Sequence, residues 1–316
     1  MDARRSSPGV VCSPILGLRF CFRCCLEGRV CILQAMLEVC DRTLNATASS
    51  SRWISERVAR CSESSFDGAL DLSQSPLTEL ELTGVLQELV QLGVAHRVRF
   101  LNLFMTNVRK IPDVLRRSLP HLERLWLGCA PLVAVPTEAL PVELVELDLS
   151  YGGVLEQLPD DVFLSLKKLE TLYLGGNQLK LLPPSLFDPE NGSGASLMHL
   201  DVHGNALKTM PPATGCCTAL LTLNLGRNQL RTLPSELAMC SDLRSLQVYK
   251  NDLQLPLPEA FQTAYLHLGN FNWRGNPAFA HVPAVVERQG LRALLTYFTR
   301  PLAASASHRV TDAGRS

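Results

Sequence analysis

At 316 residues the chain has room for two ordinary domains or for one long cooperative array of repeats. Acids and bases balance at 30 each, so no charge excess points to nucleic acid or an anionic membrane as a partner. Apolar residues make up 46% of the chain and aromatics only 6%, so the core must be aliphatic; no run approaches the roughly 18 uninterrupted apolar residues of a membrane span.

The leader comes first. MDARRSSPGVVCSPILGLRF sets two arginines ahead of apolar residues, as a signal peptide does, but Pro14 and Arg19 interrupt the stretch and no clean small-residue cleavage site follows. CFRCCLEGRVC (21–31) holds a single C-x-x-C with no second pair at finger spacing and no nearby histidine, which makes zinc a weak reading. Its vicinal cysteines also lack the companion anchor that lasting lipidation needs. Residues 1–32 therefore read as a disordered leader, with the working protein starting near Met36. LQAMLEVCDRTLN (33–45) and SRWISERVARC (51–61) carry apolar residues at helical spacing and predict a helical cap over 33–66.

Beyond the cap the chain repeats itself. LETLYLGGNQLKLLP (169–183) returns as LLTLNLGRNQLRTLP (220–234), both reading L-x-x-L-x-L-x-x-N-x-L-x-x-L-P. Anchored on the asparagine position, nine units follow one another at Ser75, Thr106, Ala130, Gly152, Asn177, Asn205, Asn228, Asn251 and Asn276. Such a period predicts a solenoid over 67–277. The two widest spacings hold a helical insert, GVLQELVQLG (84–93), and a turn-rich loop, DPENGSGAS (188–196). In LYL, Leu172 and Leu174 point to one side of a strand while Thr171, Tyr173 and Gly175 point to the other. Asn177 falls where the chain leaves the strand, placed to bond backbone groups cut off from water. Ser75 and Thr106 can make part of that bonding through a hydroxyl; Ala130 and Gly152 cannot, so the N-terminal half is expected to be less regular. After the last repeat, AVVERQ and LRALLTYF flank Gly290 as two short amphipathic helices, a C-terminal cap over 278–301, and LAASASHRVTDAGRS (302–316) reads as a disordered tail.

On the motifs at 169–183, 197–211 and 220–234, the chain resembles the leucine-rich repeat superfamily over about residues 67–298. The Leu-Pro ending and the terminal RGNPAFAHVPAVVERQGLRALLTYF resemble its intracellular Ras-group class, which holds Ras-pathway scaffolds and plant intracellular proteins. The resemblance implies an α/β fold, a right-handed horseshoe with a parallel concave sheet. It also implies a non-catalytic binding scaffold in signalling, with a small GTPase, a phosphatase or a kinase-pathway component as partner. Secreted relatives commonly close both ends with disulfide-knotted caps, yet no cysteine follows Cys240 and the total of eleven is odd. A reducing, cytoplasmic compartment and a monomer are the expectation.

A horseshoe leaves the concave face of its sheet bare, and the register names its residues. The central column runs Asp71, Asn102, Trp126, Asp148, Tyr173, Asp201, Asn224, Gln247 and Asn272. At about 4.8 Å per strand, Trp126, Asp148, Tyr173 and Asp201 span roughly 15 Å, with Glu146 beside them. Aromatic anchors among carboxylates suit a protein segment carrying lysine or arginine next to apolar residues. The predicted contact set is Arg124, Trp126, Glu146, Asp148, Tyr173, His199, Asp201, His203, Asn224, Gln247 and Tyr249. The asparagine ladder, Asn177, Asn205, Asn228, Asn251 and Asn276, is predicted to be structural.

HLDVH puts His199, Asp201 and His203 on one face of a strand, and two of them could share a zinc ion. The outer pair lies about 13 Å apart and the neighbouring strands offer no strong ligand, so ordinary surface polarity is the better reading and no metal or cofactor is expected. No phosphate loop, nucleophile elbow, kinase signature or H-E-x-x-H occurs. Three classes stay open in descending order: intracellular scaffold, secreted or cell-surface recognition receptor, and small metal-dependent enzyme.

Overall fold

The computed structural model describes residues 47–299 apart from 267 and 281; the expectations for the leader, for 33–46 and for the 302–316 tail lie outside those residues. Helix α1 (Thr47–Arg60) leads into β1 (Ala69–Asp71), helix α2 (Glu79–Gln91) and β2 (Phe100–Asn102). The strands β3 (Arg124–Trp126), β4 (Glu146–Asp148), β5 (Thr171–Tyr173), β6 (His199–Asp201), β7 (Thr222–Asn224), β8 (Ser245–Gln247) and β9 (Asn270–Asn272) follow. Helices α3 (Ala284–Arg288) and α4 (Leu291–Thr299) come last. All nine strands join one open parallel sheet in strict chain order.

Each coil is built by the same rule. The middle residue of the strand and the residue two further on face inward, so Leu147, Leu149, Leu172, Leu174, Leu200, Val202, Leu223 and Leu225 are all buried. Each such side chain contributes about 1.5–3 kcal/mol relative to an exposed one. Facing columns stay aligned from strand to strand: Trp126 pairs with Asp148, Asp148 with Tyr173, and Tyr173 with Asp201. On the return side the Leu-Pro steps open tight 3₁₀ turns, Pro184–Phe187, Pro212–Cys216 and Ser235–Met239, capped by Pro183, Pro211 and Pro234. Proline suits that place because its fixed φ and missing N–H cost nothing there.

Every coil leaves its strand through a left-handed residue directly before the anchor: Gln74, Met105, Cys129, Tyr151, Gly176, Gly204, Arg227, Lys250 and Gly275 all have positive φ. Asn205 shows what the anchor does. Its Nδ2 donates to the carbonyls of Leu174 and Val202, both at 2.9 Å, and its Oδ1 accepts from Leu179 N at 2.9 Å. Asn228, Asn251 and Asn276 repeat the arrangement, each accepting from the N–H two residues beyond the anchor of the coil before, Leu207, Leu230 and Leu253. Asn177 also donates to two carbonyls, those of Leu149 and Leu174, but its buried Oδ1 has no partner. Upstream, Gly153 (φ 72°) inserts one residue, so Leu155 fills the core slot one place late and the N–H that should meet Asn177 is displaced. A side chain at Gly152 is excluded as well, since a Cβ there would stand 2.5 Å from Ala130 O. The irregular half of the array thus ends at a definite residue pair. Ser75 and Thr106 bond only within their own coil, to the carbonyls of Leu72 and Leu103.

Two features differ from the sequence reading. The helical insert is α2, which starts at Glu79 rather than Gly84. A capping box between Thr78 and Glu81 sets that start, and Leu82, Val85, Leu86 and Leu89 line the buried face. The 188–196 loop is not an outlying turn either: Gly192, Ser193 and Gly194 are buried and pressed against the carbonyls of Ser185 and Phe187. At the ends, Ile54, Val58 and Cys61 cover the first coil, and Arg57 donates to Asp71 O at 3.1 Å along the edge strand. At the far end Phe298 of α4 packs 4.4 Å from Phe279 and 5.2 Å from Trp273, ring centre to ring centre, closing the leucine core with aromatic rings.

Cys61, Cys217 and Cys240 are buried thiols, while Cys216 is exposed. Cys240 serves as a small core residue whose Sγ–H donates to Thr214 O. Burial pushes Cys217 up to about 12 and Cys61 and Cys240 up to about 11. Because the thiolate is the reactive form, maleimide at neutral pH should label Cys216 rapidly and these three only after denaturation, as read by mass spectrometry.

Candidate functional site

The concave sheet face carries a local rule that decides which of its residues are free to act. In the central column, Asp71, Asn102, Asp148, Asp201, Asn224 and Asn272 each turn Oδ1 back on the N–H two residues ahead: Ser73, Phe104, Ser150, His203, Gly226 and Arg274. These side chains close the strand exit before the left-handed residue, a local competition that aspartate and asparagine win through their short polar arm. Asp148 and Asp201, read from sequence as free carboxylates, therefore each have one oxygen committed to the fold. Trp126, Tyr173 and Gln247 are the column members that cannot make this bond.

Trp126 is half-buried rather than projecting. Its ring meets Phe100 edge-on, with centres 4.7 Å apart, and its Nε1 donates to Glu146 Oε1 at 2.9 Å. Arg124 lays its guanidinium over Phe100 at 4.9 Å. The predicted contact set left out Phe100, whose position one strand over and one column before is what lets it flank the indole. Tyr173 instead stands 38% exposed, the one aromatic of the central column open to solvent.

The neighbouring column pairs aromatic rings with glycines. A Cβ on Gly175 would come within 2.5 Å of His203 Nδ1, on Gly226 within 2.2 Å of Tyr249, and on Gly128 within 2.8 Å of Asp148 Oδ2 and 3.0 Å of Phe104. The glycines clear the floor on which His203, Tyr249 and Phe104 lie across adjacent strands. His203 is held at both nitrogens, Nδ1 2.6 Å from Asp201 Oδ1 and Nε2 3.1 Å from the Tyr151 hydroxyl. The carboxylate fixes Nδ1 as the protonated nitrogen, leaving Nε2 to accept from tyrosine. Asn224 Nδ2 donates to the other Asp201 oxygen at 3.0 Å, and His199 Nδ1 lies 2.8 Å from Thr222 Oγ1. The HLDVH side chains are thus spent on bonds within the sheet, and no group of three metal-ligating side chains forms among the described residues.

Desolvation raises Asp148 above the ordinary aspartate value, the nearby Glu146 and Asp201 carboxylates add to the rise, and Ser150 partly offsets it. The folded state consequently loses stability as pH rises through that titration. Asp148→Asn keeps the turn-closing oxygen, as asparagine does at 102, 224 and 272, and sheds the charge. It should raise the melting temperature at pH 7 by about 2 °C, the shift that roughly 1 kcal/mol or less produces in a fold of this size. The gain should fade as pH falls below the aspartate range, a course that scanning calorimetry across pH would follow.

The strand order, the coil template and the asparagine ladder together define a leucine-rich repeat solenoid. Residues 142–191 match the family model described as leucine rich repeat. Bovine opticin is 32% identical over 115 residues, 36% of this chain and 33% of opticin. A leucine-rich repeat protein of Leptospira interrogans superposes with a TM-score of 0.56 at 25% identity, covering 68% of this chain and 51% of that one. The ectodomain of an Arabidopsis thaliana membrane receptor kinase, solved in complex with Casparian strip integrity factor 2, shares the fold at 24% identity with a TM-score of 0.53, covering 66% and 24% of the two chains. The chain spans about a third of opticin's length and about half of the Leptospira protein's.

Proposed function

We propose that the protein is a non-catalytic scaffold that holds a protein partner on the concave sheet face, within the cytoplasm and as part of a signalling assembly of the intracellular Ras-group kind. The observation that supports this most is the division of the central column. Six members close turns, whereas Trp126, Tyr173 and Gln247 contribute nothing to that task and share one bare face. The use of Cys217 and Cys240 as reduced core residues supports the compartment, and the proline-capped 3₁₀ turns support the class. A small GTPase, a phosphatase or a kinase-pathway component is the partner sought.

The test is co-purification from native extract followed by affinity measurement. Trp126→Ala and Tyr173→Ala should each weaken the recovered partner at least about tenfold, since aromatic anchors in an interface contribute about 2 kcal/mol or more. Gln247→Ala should do so less, and Lys208→Ala on the outer surface not at all. Unchanged affinity in all three concave variants would move the contact to another surface. The secreted-receptor reading draws on exposed Asn191 in Asn191-Gly192-Ser193 and on the likeness in fold to the ectodomain of a membrane receptor kinase. A glycan at Asn191 in protein from its native source would favour that reading over the cytoplasmic one.

A further inference from the structure

On the reading that the concave face docks a protein, we infer that Tyr173 is the seat for a lysine or arginine side chain of the partner, held against the phenol ring between the carboxylates of Asp148 and Asp201 with Glu146 alongside. The register places Asp148, Tyr173 and Asp201 on three consecutive strands of one column, and Glu146 two residues before Asp148 on the same face. Among the described residues neither Glu146 nor Asp148 forms an ion pair, and Asp201 is met by a hydrogen bond from His203 Nδ1, the imidazole whose other nitrogen accepts from Tyr151. Arg124, the nearest cation by register, is drawn off to Phe100. The patch is thus negative, uncompensated, and centred on the exposed phenol. An aromatic face flanked by carboxylates attracts a cation twice, through the ring quadrupole and through charge.

A second observation concerns why the charge is there at all. The turn that Asp148 closes is closed equally by Asn102, Asn224 and Asn272, so the fold needs the oxygen and not the charge. A carboxylate is kept at a half-buried place beside two others, where it costs stability. Such a local cost with no structural return is what a binding site imposes on a scaffold. Separately, Tyr173 is shifted upward by desolvation first and then by Glu146, Asp148 and Asp201, which places all three carboxylates within electrostatic reach of its hydroxyl.

The occupant is an extended basic segment of a protein. Its lysine or arginine stems would cover the apolar rim left by Trp126, and its charge would meet the carboxylates, the arrangement that steers association and sets register. The probe is a fluorescein-labelled nonapeptide alternating lysine and serine, with a glutamate–serine nonapeptide of equal length as control, read by anisotropy on the full chain. The lysine peptide should bind and the glutamate peptide should not. Tyr173→Ala, and the double variant Glu146→Gln with Asp148→Asn, should each weaken binding about tenfold, while Tyr173→Phe should stay within about threefold because the ring face survives. The double variant retains both the Trp126 bond and the turn, so its melting temperature should not fall, and a thermal melt on the same sample separates lost binding from lost folding.

Equal binding of the two peptides, or lysine-peptide affinity within about twofold of wild type in both Tyr173→Ala and the double variant, would overturn the assignment. The recovered protein partner distinguishes this failure from that of the docking face itself. Should Trp126→Ala release it while Tyr173→Ala and the double variant hold it unchanged, the face is correct and the cation seat is wrong. Should every concave variant hold it unchanged, both are wrong.

Discussion

Asn205→Ala is expected to destabilise the protein by about 3 kcal/mol, and Asn177→Ala by clearly less. Asn205 bonds two buried carbonyls and one buried N–H drawn from two coils. Alanine leaves the Leu179 N–H without a partner and removes one of the two ladder donors from each of the carbonyls of Leu174 and Val202, which Asn177 and Asn228 still bond. Each orphaned buried group costs about 1–3 kcal/mol, partly relieved by relaxation. Asn177 makes the two carbonyl bonds, of which Leu174 O keeps Asn205 as donor, but its Oδ1 is already without a donor, so its removal breaks no inter-coil N–H bond. Exposed Gln229, next along the chain from the equivalent Asn228, should tolerate alanine within about 0.5 kcal/mol. Urea denaturation of the three variants gives the order directly. Equal losses at Asn205 and Asn177 would mean that the ladder's strength does not lie in its inter-coil N–H bonds.

Gly192→Ala should have an effect of similar or greater size, about 3 kcal/mol or more, although it lies in what the sequence presents as a loop. A Cβ at this residue would stand 1.8 Å from Ser185 O, 2.9 Å from Ser185 C and 3.2 Å from Asp188 O. Those atoms are backbone, and Ser185 and Leu186 are themselves buried in the turn that packs the coil, so the clash cannot be relieved by rotating a side chain. Glycine is required here for close approach rather than for its φ. Ala195, three residues on and exposed, is the control: Ala195→Ser should melt like the wild type. A Gly192→Ala protein that melts within 1–2 °C of wild type, an effect of roughly 0.5 kcal/mol, would show that the loop swings away from the turn.

The repeat was legible because its two chemical requirements recur at fixed spacing. Leucines two apart had to share a face, and the asparagines in register had to serve the backbone; the strand register follows from those alone. Other features were hidden for physical reasons. The left-handed residue before each anchor is glycine at 176, 204 and 275 but Gln74, Met105, Cys129, Tyr151, Arg227 and Lys250 elsewhere, so residue identity does not reveal it. The double use of Asp148 and Asp201 was readable in principle, since aspartate or asparagine returns at the same register in Asp71, Asn102, Asn224 and Asn272. Seen singly, each looks like a free surface charge. Trp126 could not be placed by its own column, because the ring that half-buries it is Phe100, from the next strand. His203 and Tyr249 were read as open contact residues, whereas the glycines opposite them, Gly175 and Gly226, let both rings lie down on the sheet. The 188–196 loop misled through composition: glycine and serine signal a solvated turn, yet here they permit the tightest packing in the coil.

The division of the concave column into turn closers and contact residues is tested most directly by measuring melting temperature and partner affinity on the same two proteins, Tyr173→Ala and Asp201→Ala. Tyr173 has no bond to the turn, so its variant should melt within about 2 °C of wild type and bind the recovered partner about tenfold more weakly. Asp201 accepts from His203 at two positions and from Asn224, so its variant should melt lower by several degrees. A Tyr173→Ala protein that melts several degrees low and binds its partner undiminished would contradict the division.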